Sequence, residues 1–313
     1  MVKRIPPELI KHLQWSNLPQ TGNPSPPAST TPIAQPTAQI SAMDISNPQD
    51  YLRLEGRADY GSSSYPDFLV CKYRLADSAE VQEAARTLGL TNLTDKNGNS
   101  TGFGNTAKEQ NGRDYVGNMQ WEPALKLNLA LGNKTLSPRQ HADFRELLQK
   151  GANGEARVYD GLGNIVEQSE ILHIYNEITE RRNPWRSEWL DAKFEQHDGV
   201  WKMIYNHALD ASGNLSGKTE GLEECIMDKD CLADLIFNNQ GLATTKSGNR
   251  NYEQGKNVYF WHPRADRVAR FDAGSDWAGL YCGEVPSDTY AVLGVREAYE
   301  VGRTAREKET RRK

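Results

Sequence analysis

Residues 266–298 read DRVARFDAGSDWAGLYCGEVPSDTYAVLGVREA. Successive side chains of a strand point to opposite faces. Ala273 and Ser275, then Ala278, Leu280 and Cys282, make a small or apolar set. Between them lie Asp272, Gly274, Asp276, Trp277, Gly279, Tyr281 and Gly283. The phase changes between Asp276 and Trp277, which calls for a bend or bulge there. One set can build a floor; the other must face outward or line a shallow cleft. Trp and Tyr among Gly, Asp and Ser match the composition of adaptable recognition loops. Composition alone also allows an ordinary exposed edge that stops at Pro286. The closing AVLGVREA is an apolar run, expected to pair in a central antiparallel sheet with Leu293 and Val295 buried.

Outward from this stretch the chain divides into a body and two tails. Residues 20–39, QTGNPSPPASTTPIAQPTAQ, offer too little apolar surface to offset the cost of ordering. Residues 1–43 therefore read as a flexible tail with a Pro-rich linker, preceded by a short amphipathic piece, IPPELIKHLQW. Residues 299–313 read as a charged tail. Residues 44–298 read as one α+β domain with long connections. In it, 67–75 (DFLVCKYRL) is a strand, and 77–90 a helix capped by Asp77 or Ser78. A second helix opens at Ser137-Pro138 and closes on Gly151. A hairpin is expected around Asp160-Gly161, a helix over 169–182, and two strands over 188–209 joined at Asp198-Gly199. A short helix is expected over 233–241.

Composition narrows the function. Hydrophobic residues make up 37% of 313, enough for a sizeable core, and the formal net charge is -5, so no basic field draws the chain to nucleic acid. No apolar run is long enough to span a bilayer, and no secretory signal opens the chain. The expected location is cytoplasmic or virion-associated. Cys71, Cys225, Cys231 and Cys282 lack CxxC spacing and read as buried thiols, with a Cys225–Cys231 bridge an open option. His141, His173, His207 and His262 show neither HExxH nor paired metal spacing. No dinucleotide fingerprint, P-loop or GxSxG elbow occurs. The expectation is a protein without catalytic residues, metal or cofactor.

The stretch VARFDAGSDWAGLYCGEVPSDTYAVLGVR resembles the variable region of diversity-generating retroelement proteins, in particular those of small uncultivated archaea (DPANN) and their viruses. The matching positions are Val268, Ala269, Arg270, Phe271, Ala273, Ser275, Ala278, Leu280, Cys282, Pro286, Leu293, Gly294, Val295 and Arg296. The resemblance implies a C-type lectin fold, the same fold that houses formylglycine-generating enzymes. It also implies a variable region over about 257–297 and a ligand face of retroelement-rewritten positions. Those positions are Asp272, Gly274, Asp276, Trp277, Gly279, Tyr281, Gly283, Val285, Ser287, Asp288 and Tyr290. AAY template codons rewritten at adenine can yield Asp, Gly, Tyr, Ser, Thr and Val, but neither Trp277 nor Glu284. The implied partner is a protein or surface ligand. The alternatives are a formylglycine-generating-enzyme-like oxidoreductase, which needs a reactive cysteine pair, and a structural virion or surface component.

Overall fold

The computed structural model describes residues 45, 47–90, 93–94, 100–101, 106–109 and 112–301. The expected tail over 1–43, and the expected charged tail beyond residue 301, lie outside the described residues. The strands are β1 (Tyr51–Leu54), β2 (Phe68–Arg74), β3 (Leu93–Thr94), β4 (Ser100–Thr101), β5 (Thr106–Lys108), β6 (Asp114–Val116), β7 (Arg186–His197), β8 (Val200–Leu209), β9 (Leu215–Gly221), β10 (Cys231–Asp234), β11 (Asn257–Trp261), β12 (Arg267–Ala273), β13 (Ala278–Glu284) and β14 (Leu293–Glu300). Among the described residues four α-helices join them: α1 (Ala79–Thr87), α2 (Trp121–Ala130), α3 (Pro138–Ala152) and α4 (Gln168–Thr179). The chain is α+β, and its main sheet is mixed.

Local chemistry explains the element ends. Ser78 caps α1 by accepting from the Val81 N–H. Ser137 and Gln140 form a reciprocal capping box at the start of α3, with Pro138 in the first turn, where its missing N–H has no helical partner to lose. α4 buries Ile171, Ile174, Tyr175 and Ile178, a helical stripe. β7 and β8 are joined by Asp198 and Gly199, both at positive φ (51° and 79°), as a two-residue hairpin requires.

The ten-stranded sheet runs β1-β2-β14-β7-β12-β13-β11-β10, with β8 and β9 branching from β7. β7 is long enough to serve two neighbours along one edge. Its Ser187–Trp189 segment pairs with β14, and its Ala192–His197 segment pairs with β8. One face of the sheet packs on α3 and α4. There Phe144, Leu148, Ile171, Ile174 and Ile178 meet Ala269, Phe271, Ala273, Ala278, Leu280 and Cys282. On the opposite face α1 and α2 cover Trp189, Val268, Leu293 and Val295. That cover ends near β7.

Several expectations change. β14 is buried at Leu293 and Val295, but it pairs parallel with β7 and antiparallel only with β2. It also runs to Glu300, two residues past the expected domain edge. Of the two options at Asp276–Trp277 the structure has the bend, as a hairpin turn closed by the Gly274 N–H donating to the Trp277 carbonyl. Residues 233–241 form no helix: β10 ends at Asp234, and an isolated bridge links Phe237 to Ala243. Around Asp160-Gly161 there is a tight turn with isolated bridges, Tyr159 to Ile165 within it and Asp160 to Leu52, and no strand pair. Gly151 does not cap α3. It is buried inside the helix, where a Cβ would stand 2.6 Å from Val158 Cγ2, so it is there for close packing. All four cysteines are free, so Cys225 and Cys231 are not bridged.

Candidate functional site: an uncovered aromatic face

The site lies on the half of the sheet that α1 and α2 leave bare. Cross-strand partners share a face. Trp189 pairs with Arg270, and Ser187 with Asp272. Arg270 pairs with Tyr281, and Asp272 with Gly279. Tyr281 and Gly279 pair in turn with Trp261 and Tyr259. The covered apolar face of β7 thus continues, strand by strand, into a row of rings and charges on β12, β13 and β11.

The rings touch in sequence. Trp277 stacks on Tyr259 with centroids 4.7 Å apart. Tyr259 meets Trp261 at 4.4 Å, and Trp261 meets Tyr281 at 4.8 Å. The Arg270 guanidinium then lies over Tyr281 at 4.8 Å, and over Tyr290 and Trp185 at 5.4 Å each. Tyr290 closes on Trp185 at 5.1 Å. Six aromatic rings and one guanidinium make a continuous ribbon. Its free end is Trp277, which is 36% exposed. Aromatic pairs of this kind contribute about 0.5–1.5 kcal/mol each beyond burial, so the ribbon is held by its own contacts.

Beneath the ribbon sits a charge cluster. Arg270 Nη1 donates to Asp272 Oδ1 at 2.6 Å, and Asp272 also accepts from the Ser187 hydroxyl. Arg270 Nε lies 2.5 Å from Glu284 Oε2, an ion pair outside hydrogen-bond alignment. A register shift between Val268 and Arg270 lets Tyr281 and Glu284, three apart, both reach Arg270. Burial pushes the carboxyls of Asp272 and Glu284 up, against the pull of Arg270. One cation is thus shared by two acids.

The expected ligand residues divide in three. Asp276, Trp277 and Ser287 are exposed, and Asp272, Gly274, Tyr281, Val285 and Tyr290 are half-buried. Gly279, Gly283 and Asp288 are buried, which corrects the expectation that they lie open. A Cβ on Gly279 would stand 2.5 Å from the Tyr259 carbonyl oxygen and 2.7 Å from the Trp261 ring. On Gly283 it would meet only the flexible Arg264 side chain, at 3.1 Å. Asp288 is held in the 285–292 connection, which bonds to the start of α2 through Trp121 N–H to the Pro286 carbonyl and Asn118 N–H to the Tyr290 carbonyl. Tyr259, Trp261, Trp185 and Glu284 belong to the ribbon or its cluster but were not expected. Tyr259 and Trp261 alternate in NVYFW (257–261), a signal of period two. Arg270 matched the scaffold pattern, yet its side chain is part of the face.

Glycine packing yields a test. Gly279→Ala is expected to destabilise the protein by about 1–3 kcal/mol, because a backbone carbonyl cannot yield as a side chain can. Gly274→Ala, with only Trp185 Cβ at 3.7 Å, should stay within about 0.5 kcal/mol. Urea melts of the two variants check this, and equal effects would show that β11 does not lie against Gly279.

Of His141, His173, His207 and His262, three are held by acidic partners. His141 Nε2 lies 2.8 Å from Glu188, and burial pushes its pKa down to about 4. His207 pairs with Asp191 against the Trp121 ring. His262 Nδ1 lies 2.6 Å from Asp230. His173 is half-buried on α4. Among the described residues no group of three or more His, Cys, Asp or Glu is placed to hold a metal ion, and no helix is long and apolar enough to cross a membrane. No protein-family model, curated protein or solved structure matches the chain.

Proposed function

We propose that this chain is a non-enzymatic binding protein of C-type lectin type, with a ligand face on β11, β12, β13 and the connection after β13. In this reading a retroelement diversifies the face, as in the variable proteins of DPANN archaea and their viruses. The observation that carries the proposal is the aromatic ribbon on the uncovered half of a sheet whose other face is core. Its alternation gives each role to a separate set of residues. Ala278, Leu280 and Cys282 hold the fold, while Trp277 and Tyr281 present rigid apolar area of the kind that anchors interfaces. Asp276 and Ser287 supply exposed hydrogen-bonding groups at its margin.

The partner this face fits is a protein or cell-surface ligand with a basic or polar epitope that tolerates the charge cluster. The oxidoreductase alternative needs reactive thiolates. Burial pushes the Cys282 thiol well up and Cys225 up to about 12, which removes thiolate character at neutral pH. Presentation on a virion or surface remains compatible with binding.

The diversification is tested in the DNA. A near-copy of the codons for Val268–Arg296, differing at adenines and lying beside a reverse-transcriptase gene, is expected in the flanking sequence; without it the diversification is wrong. The face is tested separately. Combined substitution of Gly274, Asp276, Trp277, Tyr281 and Ser287 by Ser or Ala is expected to lower stability by about 2–5 kcal/mol, most of it from lost ring contacts, and to leave the protein folded at room temperature. Unfolding of the combined variant at room temperature would mean that these residues belong to the scaffold.

A further inference from the structure

On the other side of the sheet a cleft of about 540 Å³ opens between α3, α4 and the segments 235–237 and 252–258. Arg145 of α3 lines it and is 7% exposed. Its guanidinium stacks over Phe271 at 4.4 Å and Phe237 at 5.6 Å. Its Nε has no hydrogen-bond partner, and no carboxylate is ion-paired to it among the described residues. The buried charges around it are already engaged, and Glu155, exposed at the mouth, accepts from the Asn153 amide. Arg139 is paired with Asp143. Glu188, whose field reaches Arg145, is held by Arg296 and His141. Lys150 is paired with Glu146 at the solvent edge. Burial pushes the Arg145 pKa down to about 10, so the group remains a cation at neutral pH. A buried cation without a counter-charge is costly unless something completes it.

We propose that this cleft binds a small carboxylate with an apolar or aromatic body, its carboxylate on Arg145. This site is independent of the aromatic face: Phe271 points to the cleft, and its neighbours Arg270 and Asp272 point to the ribbon. A guanidinium presents a fork that matches a carboxylate in two hydrogen bonds. One cation complements one negative charge, and the acids at the mouth, Glu146 and Glu155, disfavour a dianion. Phe237, Tyr175 and Tyr252 offer the walls for a ring or alkyl chain.

The test uses the full chain and four probes: benzoate, 3-phenylpropionate, the uncharged 3-phenylpropanamide, and phenyl phosphate. At about ten times Kd a carboxylate is expected to raise Tm by about 3–6 °C, saturably, while the amide does not. Arg145→Met should abolish the shift and leave Tm equal to or above that of the parent, because it removes an unpaired buried charge. Arg145→Lys should keep the charge, lose the fork and weaken the shift. The proposal is overturned by no shift with either carboxylate, by an equal shift with the amide, or by a larger one with phenyl phosphate. It is also overturned if Arg145→Met lowers Tm by more than about 4 °C, since the guanidinium would then be a structural staple between α3 and β12.

Discussion

Arg296→Met is expected to destabilise the domain by about 3–5 kcal/mol, read from urea denaturation at pH 7. Arg296 is the last residue of the LGVR signature and is 2% exposed. Its Nε donates to Glu188 at 3.0 Å, and its Nη2 lies 2.9 Å from the same oxygen, outside hydrogen-bond alignment. Its Nη1 donates to the carbonyls of Cys71 and Lys72 at 2.9 and 2.7 Å. One side chain thus ties β14 to β7 and β2, the strands on either side of it. Methionine can fill the space of the aliphatic stem, so the loss comes from stranding a buried carboxylate and two carbonyls. Adding Glu188→Gln, which removes the orphaned charge and can still bond His141, should recover more than half of the loss.

The same pair sets a pH dependence whose sign is fixed. Arg296, with His141 and Arg74, holds the Glu188 carboxyl well below the usual carboxylate range, although burial opposes this. A depressed carboxyl contributes stability that is present above its unfolded pKa, about 4.3, and is lost as pH falls through the folded value. In Arg296→Met that depression is largely gone. The stability gap between parent and variant should therefore shrink as pH is lowered from about 5. A gap that stays constant down to pH 3 would mean that Glu188 is not the carboxylate served by Arg296.

The floor of the site was legible because its pattern is local. Ala278, Leu280 and Cys282 repeat at period two, and a strand has no other way to bury such a set. The helix cap at Ser137-Pro138 and the Asp198-Gly199 turn were legible for the same reason: each is decided within four residues. The missing parts are non-local. β14 lies parallel to β7, more than a hundred residues earlier in the chain, and nothing in AVLGVREA distinguishes that neighbour from an antiparallel one. α2 (WEPALKLNLA) was not among the expected elements; its Pro123 sits in the first helical turn, where no helical hydrogen bond is lost. The ribbon draws Trp185, Tyr259 and Trp261 from before the stretch 266–298, so a pattern confined to that stretch shows only part of it. Arg270 was assigned to the scaffold for the same reason. Its partners Asp272, Glu284, Tyr281 and Tyr290 converge only when two hairpin strands and a loop are folded together.

Leu280→Ser and Tyr281→Ser, one residue apart, are expected to have opposite fates. Leu280 is 2% exposed, in the cluster with Phe271, Ile174 and Phe144. Serine there loses the apolar contacts, leaves a cavity and buries a hydroxyl, with a combined cost of about 4–6 kcal/mol. That is a large fraction of the stability of an ordinary domain, so the variant should be mostly unfolded at 37 °C. Tyr281 is half-buried, on the opposite side of the strand. Serine there gives up one ring contact with Trp261 and one cation–π contact with Arg270, about 0.5–2 kcal/mol together, and the hydroxyl it introduces is at the solvent edge. Thermal melts followed by near-ultraviolet circular dichroism separate the two readily, because the Trp261–Trp277 signal reports the ribbon itself. The proposed diversification, a fold kept while its surface is rewritten, requires this asymmetry. If Tyr281→Ser cost as much as Leu280→Ser, no rewriting of the face could be tolerated, and the division of roles between alternate residues would be wrong at its centre.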